Sequence, residues 1–487
     1  MIRPQIFYCF LLLLLHPTLG FSDPLIDEAR AQAQGLTRAW FSQAQLDRSQ
    51  DKIESVTFDR QAGEEHGILF LQTQLGTIQA FDSETGEVLW VNHVGSPQHP
   101  TMPIGVGLNH VAVLNGSDLY VFDRLTGKFI LKKQMEEIPG GGPGLSKELA
   151  FVPCINGVLE AISLKKEGYV KGNNGDRKEN NDSAKVEQQR WKHMSHARIM
   201  VQPRVTPSVG SKPEHIGWSN NSGNFYVASV SPMEMLYFLP TRDRVTATPA
   251  YTPPDTPTNN NLRPSGHFYL GSLDGYLYKI QETTGNVIWR FPTGQPILYT
   301  PLAIGDRIYV ATEHGGLYCV MDDVTGEFRL TDVANSDSTD TADQQIWRAD
   351  DITRVLAATP DRVFGLDDLG NIRILNSETG RNLGILQTED VSFSVINHVN
   401  DRIYLVTDAG VVQCLHDRRY SKPHYHFSDD SSEKGGKPDQ GDQSDPELEN
   451  RLEDGPDNQN GGDNPFENNQ DSEQDGDGEE ENDNPFE

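Results

Sequence analysis

Basic residues are scarce in this chain, and cysteines scarcer still. Its 487 residues hold 41 Lys and Arg against 71 Asp and Glu, a formal charge of -30. A surface so short of cations is repelled by phosphate backbones and by anionic lipid, which excludes nucleic-acid binding and electrostatic adsorption to membranes. The cysteines number 4, at Cys9, Cys154, Cys319 and Cys414. They are too widely spaced for a metal site of the CxxC kind. If Cys9 leaves with a leader, the remaining three make no disulfide framework, although one pair could bridge. They read as small buried apolar residues. The sequence also lacks a Gly-rich phosphate loop opening a helix and a nucleophile elbow. Past the N-terminus, no run is apolar enough to span a bilayer.

The acidic surplus is concentrated. Ser428 to Glu487 holds 22 of the acids and 3 of the bases, a net -19, and the rest of the chain carries -11. Residues 428–487 have too few apolar side chains to bury a core and read as a disordered acidic tail. The tail repeats Asp-Asn-Pro-Phe-Glu at 463–467 and 483–487, which makes Phe466 and Phe486 candidate anchors of a docking peptide. At the other end, Arg3 precedes an apolar run from Ile6 to Leu15, then His16-Pro17 and the small residues Gly20 and Ser22. That order is a secretory signal over residues 1–22 and predicts an exported, periplasmic or secreted protein.

Between these ends the sequence repeats itself. Gly76 to Gly86 (GTIQAFDSETG) recurs as Ser117 to Gly127, Gly275 to Gly285, Gly316 to Gly326 and Gly370 to Gly380. Polar and apolar residues alternate over about six positions, the pattern of a strand with one buried face. Asp82, Asp123, Asp322 and Asn376 can accept hydrogen bonds from the turn they begin. Thr85, Thr126, Thr284, Thr325 and Thr379 precede Gly86, Gly127, Gly285, Gly326 and Gly380, which permit positive φ. Trp90 and Trp289 stand four residues past their turn glycines, on a departing strand. With three weaker relatives, eight units begin near residues 67, 110, 149, 216, 266, 307, 362 and 402. Four-stranded units at about this period are the mark of a β-propeller.

The last unit ends before its fourth strand. Ala39-Trp40-Phe41 is similar to Leu89-Trp90-Val91, so Leu36 to Gln43 is expected to complete that blade, with Ile53 to Phe58 starting the first. Closure of this kind removes open sheet edges. The expectation is an all-β, eight-bladed propeller over 36–417, with seven blades as the alternative count.

The repeat resembles the PQQ-like (pyrroloquinoline-quinone-type) propeller family, whose pattern is Ala-x-Asp-x-x-Thr-Gly-x-x-x-Trp. Ala80-Phe-Asp82-Ser-Glu-Thr85-Gly86-Glu-Val-Leu-Trp90 fits throughout. The resemblance implies a non-catalytic scaffold for a protein or peptide, like the BamB-type outer-membrane assembly factors, with no cofactor. The alternative it implies is a quinoprotein dehydrogenase holding PQQ and calcium. Such enzymes use a vicinal Cys-Cys ring and stacked Trp, and neither pattern occurs here. The motif residues therefore read as builders of turns and blade contacts.

Residues 165–190 read as a disordered insertion, Tyr251 to Pro264 as a surface linker and Asp332 to Gln345 as a further polar insertion. His193 and His196 would form a metal pair only on a helix, and His424 and His426 border the tail. Neither pair has a third ligand in sequence.

Overall fold

A computed structural model describes residues 25–165, 191–208, 212–254, 265–322, 326–327, 346–388 and 391–426. The chain divides into two units, Met1–Asp439 and Gln440–Glu487, and every described residue lies in the first. The predicted leader, the insertions at 166–190 and 332–345, Thr325, and the tail with Phe466 and Phe486 lie outside the described residues.

The first unit is an eight-bladed β-propeller, so the seven-blade alternative falls. Blade 1 comprises Ile53–Asp59, Ile68–Thr73, Thr77–Asp82 and Val88–His93, hydrogen-bonded in that order. Seven further sheets repeat this antiparallel order, and in blade 5 Gly326–Glu327 adds a fifth strand parallel to Val287–Pro292. Blade 8 is assembled from both ends of the fold. Leu36–Gln43 pairs with Val411–Asp417, from Leu36 opposite Asp417 to Gln43 opposite Val411, with a bulge between Arg38 and Trp40. The expected closing strand is thus present. A short helix, Glu28–Ala33, precedes it, capped by Asp27. Nearby, the Gln413 side chain hydrogen-bonds both the N–H and the carbonyl of Ile26.

Eight apolar clusters fill the seams. Each joins consecutive blades, from Phe70 and Trp90 of blade 1 against Val111 and Val113 of blade 2 round to Tyr404 and Val412 of blade 8 against Leu69 and Phe81 of blade 1. This corrects the half-buried reading of the repeat strands. A blade has a neighbour on both sides, so the interior of Thr77–Asp82 is buried throughout. The polar members of the alternation bond to adjoining segments instead of water. Gln79 donates to the Gln45 carbonyl at 2.9 Å and accepts from the Gln45 N–H at 2.8 Å.

Antiparallel order fixes two ends. Turns between first and second strands, and the Thr-Gly turns, lie at one end. Turns between second and third strands, and the connections between blades, lie at the other, here called the linker end. One predicted boundary is wrong. Tyr251 and Thr252, assigned to a linker, belong to Ala250–Thr252, the innermost strand of blade 5. Tyr251 is buried against Phe268 with its hydroxyl on Glu282. The Pro-rich composition that follows masked a three-residue strand.

Candidate functional site

The motif residues build joints between blades. The Asp82 carboxylate accepts from the backbone N–H of Glu84 and Thr85 at 2.9 and 2.8 Å, and Asp123 and Asn376 hold the corresponding turns. The hydroxyls of Thr126, Thr284 and Thr379 donate back to Asp123, Gln281 and Asn376. Gly86 takes φ +72°, and a Cβ there would fall inside the Trp40 ring. The turn of one blade therefore receives the outermost-strand indole of the blade before it. Trp40 Nε1 donates to the Ser83 carbonyl at 2.9 Å. Trp90 reaches the Arg124 carbonyl at 3.0 Å while its ring covers Gly127. Trp289 is buried beside Tyr269.

Sequence reasoning missed two members of this series. Trp347 donates to the Ser377 carbonyl at 2.9 Å and covers Gly380. Its signal was the likeness of Ile346-Trp347-Arg348 to Ile288-Trp289-Arg290. Tyr237 covers Gly285 and donates to the Gln281 carbonyl at 3.3 Å, with no tryptophan to reveal it. Asp322 also differs from its reading. It is buried, accepts from the Tyr269 hydroxyl, and lies 2.7 Å from the Lys279 Nζ of the preceding blade.

Groups with chemical potential are engaged structurally. Cys154, Cys319 and Cys414 are free and buried, so none of them bridges. Burial pushes the thiols of Cys154 and Cys319 up to about 12, which removes the reactive thiolate. Glu282 is fully buried in the seam of blades 4 and 5. Burial alone would raise its carboxyl, but hydrogen bonds from His215, Lys212 and Thr206 hold it below the usual range. No cluster of three metal-ligating side chains occurs among the described residues. His193 lies on the strand Lys192–Met194 rather than a helix, stacked on Trp191, which removes the helical spacing the His193–His196 pair required.

The linker end of blades 2–4 is different in kind. The innermost segments of these blades are run together by glycine and proline, Pro139 to Gly144 at the centre. Cβ atoms on Gly140 and Gly142 would strike the carbonyls of Ile199 and Pro103. Gln202 fastens the three segments, donating to the carbonyls of Ile104 at 3.1 Å and Pro143 at 2.9 Å. On this rigid base sit exposed apolar side chains: Ile138 (61%), Ile155 (36%) and Met200 (48%). Ile138 and Ile155 are adjacent, the Ile155 N–H donating to the Ile138 carbonyl at 3.0 Å. Beside them an aromatic row crosses blade 4, Trp218 opposite Tyr226 and Tyr226 opposite Phe238. It passes from full burial at Trp218 to 63% exposure at Phe238. His193 of blade 3 packs on Tyr226, and Phe238 stacks on the same Tyr226 ring further out.

The fold is that of an eight-bladed β-propeller, and its repeats resemble the PQQ-like pattern. Residues 261–424 match the family model described as outer membrane protein assembly factor BamB, and the chain is similar to that protein. BamB from Moraxella catarrhalis has the same fold with 13% sequence identity, a TM-score of 0.54 and coverage of 80% of this chain and 99% of that one. The computationally designed Ika8 protein aligns with 14% identity and a TM-score of 0.49, over 75% of this chain and 96% of its own. No curated protein sequence is matched. Among the described residues, no helix is long and apolar enough to cross a membrane.

Proposed function

We propose that the chain is an exported, non-catalytic binding scaffold that holds a protein partner, as an outer-membrane assembly factor of the BamB kind would. The observation that carries this reading is the exposed apolar group Ile138, Ile155 and Met200 on the rigid linker end of blades 2–4. Exposed apolar patches on an otherwise polar surface mark interaction sites. The outermost strand of blade 4, Met233–Pro240, extends the surface with Leu236 and Phe238 exposed on a sheet edge that pairs with no further strand among the described residues. An extended segment can add to such an edge as a further strand.

The buried thiols and the satisfied Glu282 network favour this reading over the quinoprotein one. A scaffold is expected to give no dye-linked oxidation of alcohols or sugars when PQQ and calcium are added, and saturable turnover would count against it. The positive test is capture from cross-linked cells that express the protein, comparing it with Ile138→Asp/Ile155→Asp. A folded double variant should lose the major cross-linked partner. Retention at the original yield would remove this surface from the account.

A further inference from the structure

We infer that Arg204 anchors an oxyanion-binding site on the propeller axis, taking a carboxylate or phosphate group that enters from the Thr-Gly end. This site is independent of the apolar surface at the opposite end.

The position follows from ring geometry. Arg204 belongs to Arg204–Val205, the innermost strand of blade 4. His398 lies in the turn between the first two strands of blade 8. The seam clusters order the blades consecutively, so blades 4 and 8 stand opposite each other in a ring of eight. Arg204 Nη2 nevertheless lies 3.4 Å from His398 Nε2. That contact must cross the axis.

The electrostatics leave the guanidinium undercompensated. It has five N–H donors, and its single hydrogen bond among the described residues is this long one to an imidazole. It forms no ion pair there. The carboxylate whose field reaches it is Asp59, but Asp59 is already held by Arg124 Nη2 at 2.7 Å and by the Gln61 amide at 2.8 Å. Burial lowers the Arg204 pKa, so the site itself disfavours the bare cation. An unpaired charge withdrawn from water is costly unless a counter-charge arrives. Both Arg204 and His398 retain partial exposure, so the arriving group need not displace protein. A guanidinium presents a planar fork that matches the two oxygens of a carboxylate or phosphate.

His426 lies next to the turn that carries His398. The segment after the last strand runs over this end of blades 8 and 1, where the Tyr425 hydroxyl donates to the Glu65 carbonyl at 2.8 Å. Arg402 donates to the carbonyls of Tyr420 and Ser421 at 3.2 and 3.0 Å, and the His426 N–H donates to the Val399 carbonyl at 2.9 Å. The Arg204 charge acts on His398, and His398 in turn acts on His426. Arg204 thus brings a guanidinium to the axis beside the His398 imidazole, in a chain of charge -30.

The test is thermal unfolding of the full chain titrated with citrate in one arm and inorganic phosphate in another. Sodium chloride at matched ionic strength is the reference. Saturable stabilisation beyond chloride by either anion is expected, and which arm responds identifies the group. Arg204→Gln should abolish the response with the β-sheet circular dichroism spectrum retained. Should that variant not fold, Arg204→Lys, which keeps the charge without the fork, should weaken the apparent affinity by about tenfold or more. No stabilisation beyond chloride, or an undiminished response in a folded Arg204 variant, overturns the inference.

Discussion

An indole laid on the turn of the next blade couples two sheets through one side chain. Trp90 does this with its ring over Gly127 and its N–H on the Arg124 carbonyl. Trp90→Ala removes a large buried ring and strands a carbonyl, and should destabilise the propeller by ~3–5 kcal/mol in denaturant titration. Trp90→Phe keeps most of the apolar contact, loses the hydrogen bond, and should cost distinctly less. Equal losses for the two would show that packing at this joint contributes little. A second residue-scale expectation concerns pH. Burial depresses His398 and His426 to about 3. Each is neutral when folded and titrates near 6.5 when unfolded, so unfolding takes up protons below that value. Their contribution to stability is fully present above pH 6.5 and is lost as pH falls toward 3. Asp401 works the other way. Burial raises it to about 6, against 3.8 unfolded, so its contribution is present below 3.8 and is lost as pH rises through 6. With two histidines opposing one aspartate, stability should fall on acidification from pH 6.5. His398→Gln/His426→Gln should make that slope shallower in pH-dependent unfolding.

At the scale of the element, closure is the informative case. Leu36–Gln43 gives blade 8 its outermost strand, and Trp40 then carries the contact on to blade 1. Removing residues through Gln43 should leave Val411–Asp417 an open edge, strip Gly86 of its cover and destroy the single cooperative transition in calorimetry. An unchanged transition would show that the ring is closed by other means. Most elements could be read in the sequence because they are local and periodic. The alternation, the Thr-Gly turn and the paired tryptophans recur at fixed spacing and needed no long-range information. Tyr251 escaped because a three-residue strand has no period to detect. Tyr237 escaped because its role depends on Gly285 of the next blade.

At the scale of the whole molecule, what was illegible is what depends on the ring. Alternation suggested one wet face for each middle strand, but neighbours on both sides bury Gln79 and Lys279. The Arg204–His398 contact joins residues 194 positions apart in sequence, and nothing local marks either side chain. The exposed group at Ile138, Ile155 and Met200 was equally hidden. Each is an ordinary apolar residue beside buried ones, and only the stacking of blades 2–4 decides which remain outside. The surface that carries the proposed function is thus a property of assembly rather than of any motif.

That surface can be interrogated directly. A photo-reactive amino acid at position 155 in the full chain, irradiated in cells that express it, should yield a discrete cross-linked partner. The same probe at Leu383, an exposed apolar residue on the outer rim of blade 7, should not. A specific adduct from position 155 alone is the result expected of a scaffold working through the linker end of blades 2–4. No adduct from 155, or the same adduct from both positions, would contradict it.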